Sequence, residues 1–118
     1  MKLPNAHLAL VAKEKIEDYL LNAAHPDNGG KARFFESLGF RSDDWEALAR
    51  ALRNLALAGE VTESLDTAHG RKYILEAAIE TPCGKQPALR SIWIIDRGRN
   101  RPRLVTAYPA GTRERNYD

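Results

Sequence analysis

The sequence predicts an α+β domain in which three N-terminal helices are packed on a roughly four-stranded antiparallel sheet. Apolar residues recur at helical spacing through the first half of the 118-residue chain. After Gly59 the apolar period changes to two, which is typical of strands with one buried face. The chain is 43% hydrophobic and 29% charged, so it can form one core but is too short for a two-domain enzyme. We therefore predict a single domain over residues 1–110 and a polar tail over residues 111–118.

The three helices are predicted from apolar periodicity and from the residues at their ends. The first covers residues 13–22, where the apolar residues Ile16, Tyr19 and Leu20 recur at helical spacing, and it ends before Pro26, where a turn-forming segment begins. The second is expected over about residues 30–38. The third begins after Ser42, whose side chain can cap it, and ends at Gly59.

The strands are predicted from alternating apolar residues. They are expected at residues 61–66, 73–80, 89–96 and 104–108. The third is apolar on both faces, so we expect it to lie inside the sheet with cover on both sides. In the fourth, alternation predicts that Leu104, Thr106 and Tyr108 share one face, which places a hydroxyl and a phenol side by side.

Charge is distributed unevenly along the chain. The net charge is only +2, but the two parts of the chain differ. Residues 1–82 hold 10 Lys/Arg and 13 Asp/Glu, whereas residues 83–118 hold 8 Lys/Arg and 3 Asp/Glu. A basic end on an acidic body is typical of proteins that contact phosphates, although a solvated basic hairpin is the commoner meaning of such a run.

The basic end has alternating arginines in the loop at residues 97–102 and at the start of the last strand. They are Arg97, Arg99, Arg101 and Arg103, with Arg90 on the preceding strand. Guanidinium groups bind phosphate bidentately and stack on bases, so this hairpin is expected to lie beside the functional site and hold a polynucleotide. Protection of a sheet edge by charge is the structural alternative.

The segment between the first two helices is the most suggestive of chemistry. Gly29 and Gly30 precede a helix start, where free amides and the helix dipole favour an anion, and Lys31 adds a full charge. The segment is not a nucleotide P-loop, because that motif has glycine where His25 stands. Lys31 projects on the same side as Phe35, so its ammonium should emerge at an edge or in a cleft. The alternative is a plain interhelical turn with a lysine that reaches solvent.

Histidine is the side chain best suited to proton transfer near neutral pH. Of the three histidines, only His25 adjoins the candidate anion site. A surface histidine in a loop is the alternative for His25. Thr106 and Tyr108 can each donate a hydrogen bond to a phosphate or orient a base. Both residue types are also favoured in sheets for structural reasons alone.

At these residues the chain resembles a family of small bacterial proteins that also occur as C-terminal domains of polymorphic toxins. The segments that carry the resemblance are Leu20-Leu21-Asn22, His25-Pro26, Gly30-Lys31-Ala32-Arg33-Phe34-Phe35, Leu38-Gly39-Phe40, Trp93-Ile94-Ile95 and Pro102-Arg103-Leu104-Val105-Thr106-Ala107-Tyr108-Pro109. Together they extend over nearly the whole chain. The helices, the sheet and the terminal Thr-x-Tyr are similar in turn to ribonuclease toxins of the barnase, EndoU, colicin E5/D and RelE type, the BECR fold.

The resemblance implies a metal-independent endoribonuclease toxin that cleaves RNA, with tRNA among the candidate substrates, through a 2′,3′-cyclic phosphate. His25 would take the proton from a ribose 2′-OH, and Lys31 and Thr106 would stabilise the phosphoryl oxygens. Tyr108 would orient the phosphate or protonate the leaving 5′-oxygen. EndoU-type sites often carry two histidines, and no second one is placed to serve here, so the acid role falls to Lys31 or Tyr108. The residues expected to contact RNA or phosphate are Gly30, Arg33, Arg90, Arg97, Arg99, Arg101 and Arg103.

The expected partners are RNA and a cognate antitoxin or immunity protein, without a cofactor, a metal ion or a membrane. The sequence has no His/Cys/Asp/Glu cluster with ligand spacing, no signal-peptide run and no apolar stretch of membrane-spanning length. We therefore expect a cytoplasmic protein, with relatives that include delivered effector domains. The alternative function is a non-catalytic RNA- or partner-binding module, which needs only the arginines and the aromatic residues.

Overall fold

The computed structural model describes residues 1–26 and 30–111, and it has the predicted α+β fold class. The helical elements are a 3-10 turn at Ala6–Leu8, α1 at Lys13–Lys15 continuing as a π-helical turn at Ile16–Leu20, α2 at Lys31–Ser37, a 3-10 turn at Ser42–Asp44, and α3 at Trp45–Ala58. The strands are β1 at Glu60–Asp66, β2 at Gly70–Ala78, β3 at Ala88–Asp96 and β4 at Pro102–Pro109. Gly29 and residues 112–118 of the predicted tail lie outside the described residues.

The four strands form an antiparallel sheet in the order β1-β2-β3-β4. The interior position predicted for β3 is confirmed, since it pairs with β2 on one side and β4 on the other. Its Trp93 is fully buried and donates a hydrogen bond of 2.9 Å from the indole nitrogen to Ser91 Oγ. The indole N–H of Trp93 is therefore hydrogen-bonded even though the ring is fully buried.

The core lies between the helices and one face of the sheet. Leu20 of the π-helical turn, Phe35 of α2 and Leu52 of α3 are fully buried in one cluster with Leu75 and Trp93 of the sheet. The apolar periodicity of α3 accounts for its buried face.

The start of α3 differs from the prediction. The N-cap residue is Asp44, and Ser42 lies in the 3-10 turn before it, so the predicted capping role of Ser42 is wrong. A 3-10 turn at a helix start is common because it tightens the first turn.

A β-bulge in β4 changes the direction of side chains near its middle. Leu104 pairs with Trp93 of β3, whereas Thr106 pairs with the adjacent Ile92, so β4 has one extra residue between these pairs. Neighbouring residues of β3 point to opposite faces, which puts Leu104 and Thr106 on opposite faces. The prediction that Leu104 shares a face with Thr106 is therefore wrong, while Thr106 and Tyr108 do face the same way.

The N-terminal segment crosses the fold from one sheet edge to the other. The Met1 carbonyl accepts a hydrogen bond of 2.8 Å from the backbone of Val61 in β1. Leu10 forms a parallel bridge to β4, donating to the Pro102 carbonyl at 2.9 Å and accepting from the Leu104 amide at 3.0 Å. The segment thus covers the first residues of β4, before the strand reaches Thr106.

Candidate active site

Tyr19 lies at the centre of the candidate site, where the first helical region meets β4. Its hydroxyl oxygen is 3.1 Å from Thr106 Oγ1. Its ring meets the His25 ring edge-on, with 5.1 Å between the ring centroids. The Lys31 ammonium lies over the same ring, 5.7 Å from its centroid. The structure thus brings His25, Lys31 and Thr106, all predicted site residues, around a fourth residue that sequence reasoning assigned only to the apolar stripe.

A π-helical turn positions Tyr19. The Leu21 amide donates to the Ile16 carbonyl at 2.8 Å, a bond that spans five residues instead of four. Ile16 and Leu20 are fully buried and anchor the turn, while Tyr19 is half-buried. Such turns occur often at functional sites because the extra residue changes the direction of the side chains. The one signal in the sequence was that a tyrosine on a buried stripe needs a partner for its hydroxyl.

Lys31 connects the helices to the end of β4. It is the first residue of α2, and the preceding Gly30 is the N-cap with a φ of +88°, a conformation that favours glycine. Phe35, one turn later, is fully buried and fixes the orientation of the helix. The Lys31 ammonium lies over two phenol rings, at 5.7 Å from the Tyr19 centroid and 5.9 Å from the Tyr108 centroid. Its head group therefore lies beside Tyr108 of β4, the last strand of the sheet.

Tyr108 is accompanied by a fixed positive charge. Arg90 pairs with it across β3 and β4, and the Arg90 side chain is 24% exposed. Arg90 Nη1 donates to Glu76 Oε2 at 2.6 Å, and Nη2 lies 3.8 Å from Glu63 Oε1. Burial acts to lower the pKa of Arg90, but the nearby Tyr108 and Glu76 outweigh it and raise the pKa above its usual range. The guanidinium is thus a permanent cation between the phenol and two carboxylates.

The basic loop between β3 and β4 was expected to lie beside the functional site. It is instead at the opposite end of β4 from Tyr108. Arg103 pairs with Ile94 of β3 and Tyr108 pairs with Arg90, four residues along that strand, which separates their backbones by about 13 Å. Arg99 is exposed in the loop, which is farther still. Arg33 is exposed on α2 two residues after Lys31, which is about 200° around the helix axis, so its side chain points away from that of Lys31.

Three arginines of this end of the sheet have defined partners. Arg97 donates to the Thr67 carbonyl at 2.9 Å, and Arg101 donates at 2.6 Å to a carbonyl of the N-terminal segment. Arg103 binds Asp96 through two hydrogen bonds of 2.7 and 3.0 Å. These contacts fasten the loop to the β1–β2 turn and to the N-terminal segment.

Over residues 1–26 and 30–111, no group of three or more His, Cys, Asp or Glu side chains is placed to hold a metal ion. No helix in that part of the chain is long and apolar enough to span a membrane.

Comparison with known proteins identifies the family. The sequence matches the family described as a domain of unknown function, DUF6883, over residues 2–111. The chain belongs to this family. The match includes all the side chains grouped around Tyr19 in this DUF6883 domain. A comparison with curated proteins found no significant match.

The DUF6883 domain also shares its fold with a solved structure. That structure is a chain of the contact-dependent growth inhibition toxin–immunity protein complex from Klebsiella pneumoniae 342, which it matches with a TM-score of 0.70 and 18% sequence identity. The match covers 88% of this chain and 95% of that chain. At this identity, the likeness establishes a common fold.

The candidate site of the DUF6883 domain combines three kinds of chemical group. His25 provides an imidazole, the side chain used most often as a general base, and Lys31 provides a cation. Thr106 and Tyr108 provide hydroxyl donors on one face of β4. A proton acceptor, a cation and hydroxyl donors in this arrangement can bind an anionic group and transfer a proton at it.

Proposed function

We propose that this domain is a toxin that acts in the cytoplasm as a metal-independent endoribonuclease. The observation that carries the proposal is the convergence of His25, Lys31 and Thr106 on the ring and hydroxyl of Tyr19, with Tyr108 on the other side of the Lys31 ammonium. These residues come from two helical regions, a loop and the last strand. Their convergence on one point is more than the burial of a core requires.

The proposed reaction is transfer of the phosphoryl group to the neighbouring ribose hydroxyl. His25 takes the proton of the 2′-OH, and the 2′-oxygen attacks the adjacent phosphorus to form a 2′,3′-cyclic phosphate. The bond from phosphorus to the 5′-oxygen breaks, and that oxygen receives a proton from Tyr108 or Lys31. Lys31 and Thr106 stabilise the charge on the phosphoryl oxygens, an effect worth about 10²- to 10³-fold in rate per donor in comparable sites.

RNA binding is proposed to involve two separated sets of cations. Arg90 is near the reacting phosphate because it pairs with Tyr108, whereas Arg33, on the far side of α2 from Lys31, would contact a neighbouring part of the RNA. The loop with Arg99 is at the opposite end of β4, so only an RNA that spans more than about 13 Å can contact both sets. We propose that the loop holds RNA several nucleotides from the cut, without reading its sequence.

The toxin role and the partner are proposed from the shared fold. The Klebsiella pneumoniae 342 structure is a complex of a growth inhibition toxin with its immunity protein. A cell that makes an active ribonuclease needs a protein that blocks it. We therefore propose a cognate immunity protein or antitoxin that covers the basic surface of this domain through acidic residues.

RNA cleavage by the purified protein tests the function. We expect wild type to cleave tRNA or total RNA in the presence of EDTA and to leave 2′,3′-cyclic phosphate ends. The His25→Ala variant should cut at least about a hundredfold more slowly, as expected for loss of a general base. His7→Ala is the matched control, since His7 is an exposed histidine in the N-terminal 3-10 turn.

The same assay decides between the enzyme and the binding module. If wild type and His25→Ala bind RNA equally and neither cleaves it over hours, the catalytic proposal fails and a non-catalytic RNA-binding module remains. If neither binds RNA, the proposal of an RNA substrate fails as well.

A further inference from the structure

We propose that Tyr19 is a positioning residue of this site, which holds the Thr106 hydroxyl in the orientation needed for a phosphoryl oxygen. The inference rests on the proposed function for the identity of the substrate. It adds a residue outside the catalytic set of His25, Lys31, Thr106 and Tyr108. The hydrogen bond between the Tyr19 hydroxyl and Thr106 Oγ1 is 3.1 Å long and joins residues 87 positions apart in the sequence.

A threonine side chain on a strand does not have a fixed hydroxyl direction by itself. Its χ1 angle can occupy more than one staggered position, and its hydroxyl hydrogen rotates to suit its neighbours. Thr106 also follows a β-bulge, where the regular pairing that orders side chains on a sheet is interrupted. The contact with Tyr19 supplies the constraint that the strand does not.

The chemistry of the two hydroxyls gives the direction of the hydrogen bond. A phenol is a stronger hydrogen-bond donor than an aliphatic alcohol. Two ammonium groups also lie over the Tyr19 ring, Lys15 Nζ at 5.2 Å and Lys31 Nζ at 5.7 Å from the centroid, and they polarise the phenol towards donation. Either hydroxyl could donate by geometry alone, and this chemistry favours Tyr19 as the donor and Thr106 as the acceptor. Since a hydroxyl has one donor and two lone pairs, the hydrogen of Thr106 stays available for a phosphoryl oxygen.

The same tyrosine also fixes the distance between the base and the hydroxyl donor. The ring of Tyr19 touches the His25 ring edge-on at 5.1 Å, while its hydroxyl contacts Thr106. His25 is in a loop and Thr106 is on β4, so Tyr19 bridges two elements whose side chains must act on one phosphate. Such positioning raises the rate by holding reactants in a productive geometry.

The first test measures the side chain of Thr106 and needs no catalysis. Three-bond couplings to the Thr106 γ-methyl carbon should report one χ1 rotamer in the wild-type protein. In Tyr19→Phe, which keeps the ring and deletes the hydroxyl, they should report averaging over two or more rotamers. Tyr73→Phe is the control, because Tyr73 is a core tyrosine on β2. A single, unchanged rotamer in Tyr19→Phe would overturn the proposal.

The second test is a double-mutant cycle in RNA cleavage. We expect Tyr19→Phe to lower kcat between about tenfold and a hundredfold, with KM changed by less than about twofold. Thr106→Val should lower kcat further, and the double variant should equal Thr106→Val alone, because Tyr19 acts through Thr106. Multiplying effects would overturn the positioning role. If wild type cleaves no RNA, the proposed function fails, while the rotamer measurement still decides whether Tyr19 orients Thr106.

Discussion

Arg90 lies directly opposite Tyr108 in the pairing of β3 with β4. On the β2 side, its Nη1 donates a hydrogen bond of 2.6 Å to Glu76 Oε2. The cation beside the phenol is thus built into the sheet. Because Arg90 is only 24% exposed, its charge is less screened than that of a solvated arginine. A phosphate that approaches Tyr108 would meet Lys31 from the helical side and Arg90 from the sheet.

Replacing Arg90 tests the importance of this second cation. Arg90→Met keeps much of the length of the side chain and removes the charge, so we expect RNA cleavage to fall by about tenfold or more. The fold should lose about 1 kcal/mol of stability with the Glu76 hydrogen bond. Arg71→Met is the matched control, because Arg71 is an exposed arginine on β2 that contacts Ser64. Equal cleavage by the two variants would contradict a role for Arg90.

Gly30 and Gly84 form a matched pair for testing the start of α2. Their φ angles are +88° and +87°, and an added Cβ would meet nothing within 4 Å at either position. Alanine at either site should therefore cost about 1 kcal/mol through backbone strain alone, measured by urea unfolding. Only Gly30→Ala should also slow cleavage, because a shift of this N-cap moves Lys31. Full activity of Gly30→Ala would show that the site tolerates such a shift.

The separation of the basic loop from Tyr108 predicts a dependence on substrate length. Arg99→Ala should weaken binding of a tRNA-sized RNA and reduce its salt slope by about 1, since one phosphate contact is lost. Cleavage of a dinucleotide should not change, because a dinucleotide with its single internal phosphate at the site cannot reach a loop more than about 13 Å away. Equal effects on both substrates would mean that the loop reaches the reacting phosphate. Lys85→Ala, in the β2–β3 turn, controls for loss of one positive charge.

Periodicity in the sequence was sufficient to predict the architecture. The interior position of β3 followed from its two apolar faces, and Lys31 was expected at an edge or in a cleft because it shares the stripe of the buried Phe35. Both inferences depend on local spacing and on the burial of apolar side chains, which a sequence displays directly.

The departures from prediction came from features that periodicity does not encode. An extra residue in β4 turned Leu104 away from the face of Thr106, and a π-helical turn changed the direction of Tyr19. Neither has a composition signal, because each depends on how a strand or helix fits its neighbours. The distance of Arg99 from Tyr108 was available in the sequence, since Tyr108 is at the end of the strand that leaves that loop.

The ion pair between Arg103 and Asp96 predicts a pH dependence of stability. Arg103 donates to both carboxylate oxygens of Asp96, which lowers the pKa of Asp96 below its usual 3.8. A carboxyl group whose pKa falls on folding stabilises the protein above the unfolded pKa, and this contribution is lost as the pH drops through the folded pKa. Because Asp96 is about a third exposed, solvent screening limits the contribution to less than about 1 kcal/mol.

Asp96→Asn should therefore be less stable than wild type at pH 7, and the difference should shrink as the pH falls below the usual pKa of an aspartate. Urea unfolding at pH 7 and at about pH 2.5 measures both differences, with the pH chosen to lie below the unfolded value. Asp66→Asn is the control, since Asp66 is 3.8 Å from Arg71 and far more exposed, so its effect should be small at both pH values. A difference for Asp96→Asn that stays constant with pH would mean that its carboxylate charge contributes nothing to stability, and that the amide disturbs the β3–β4 loop by its shape alone.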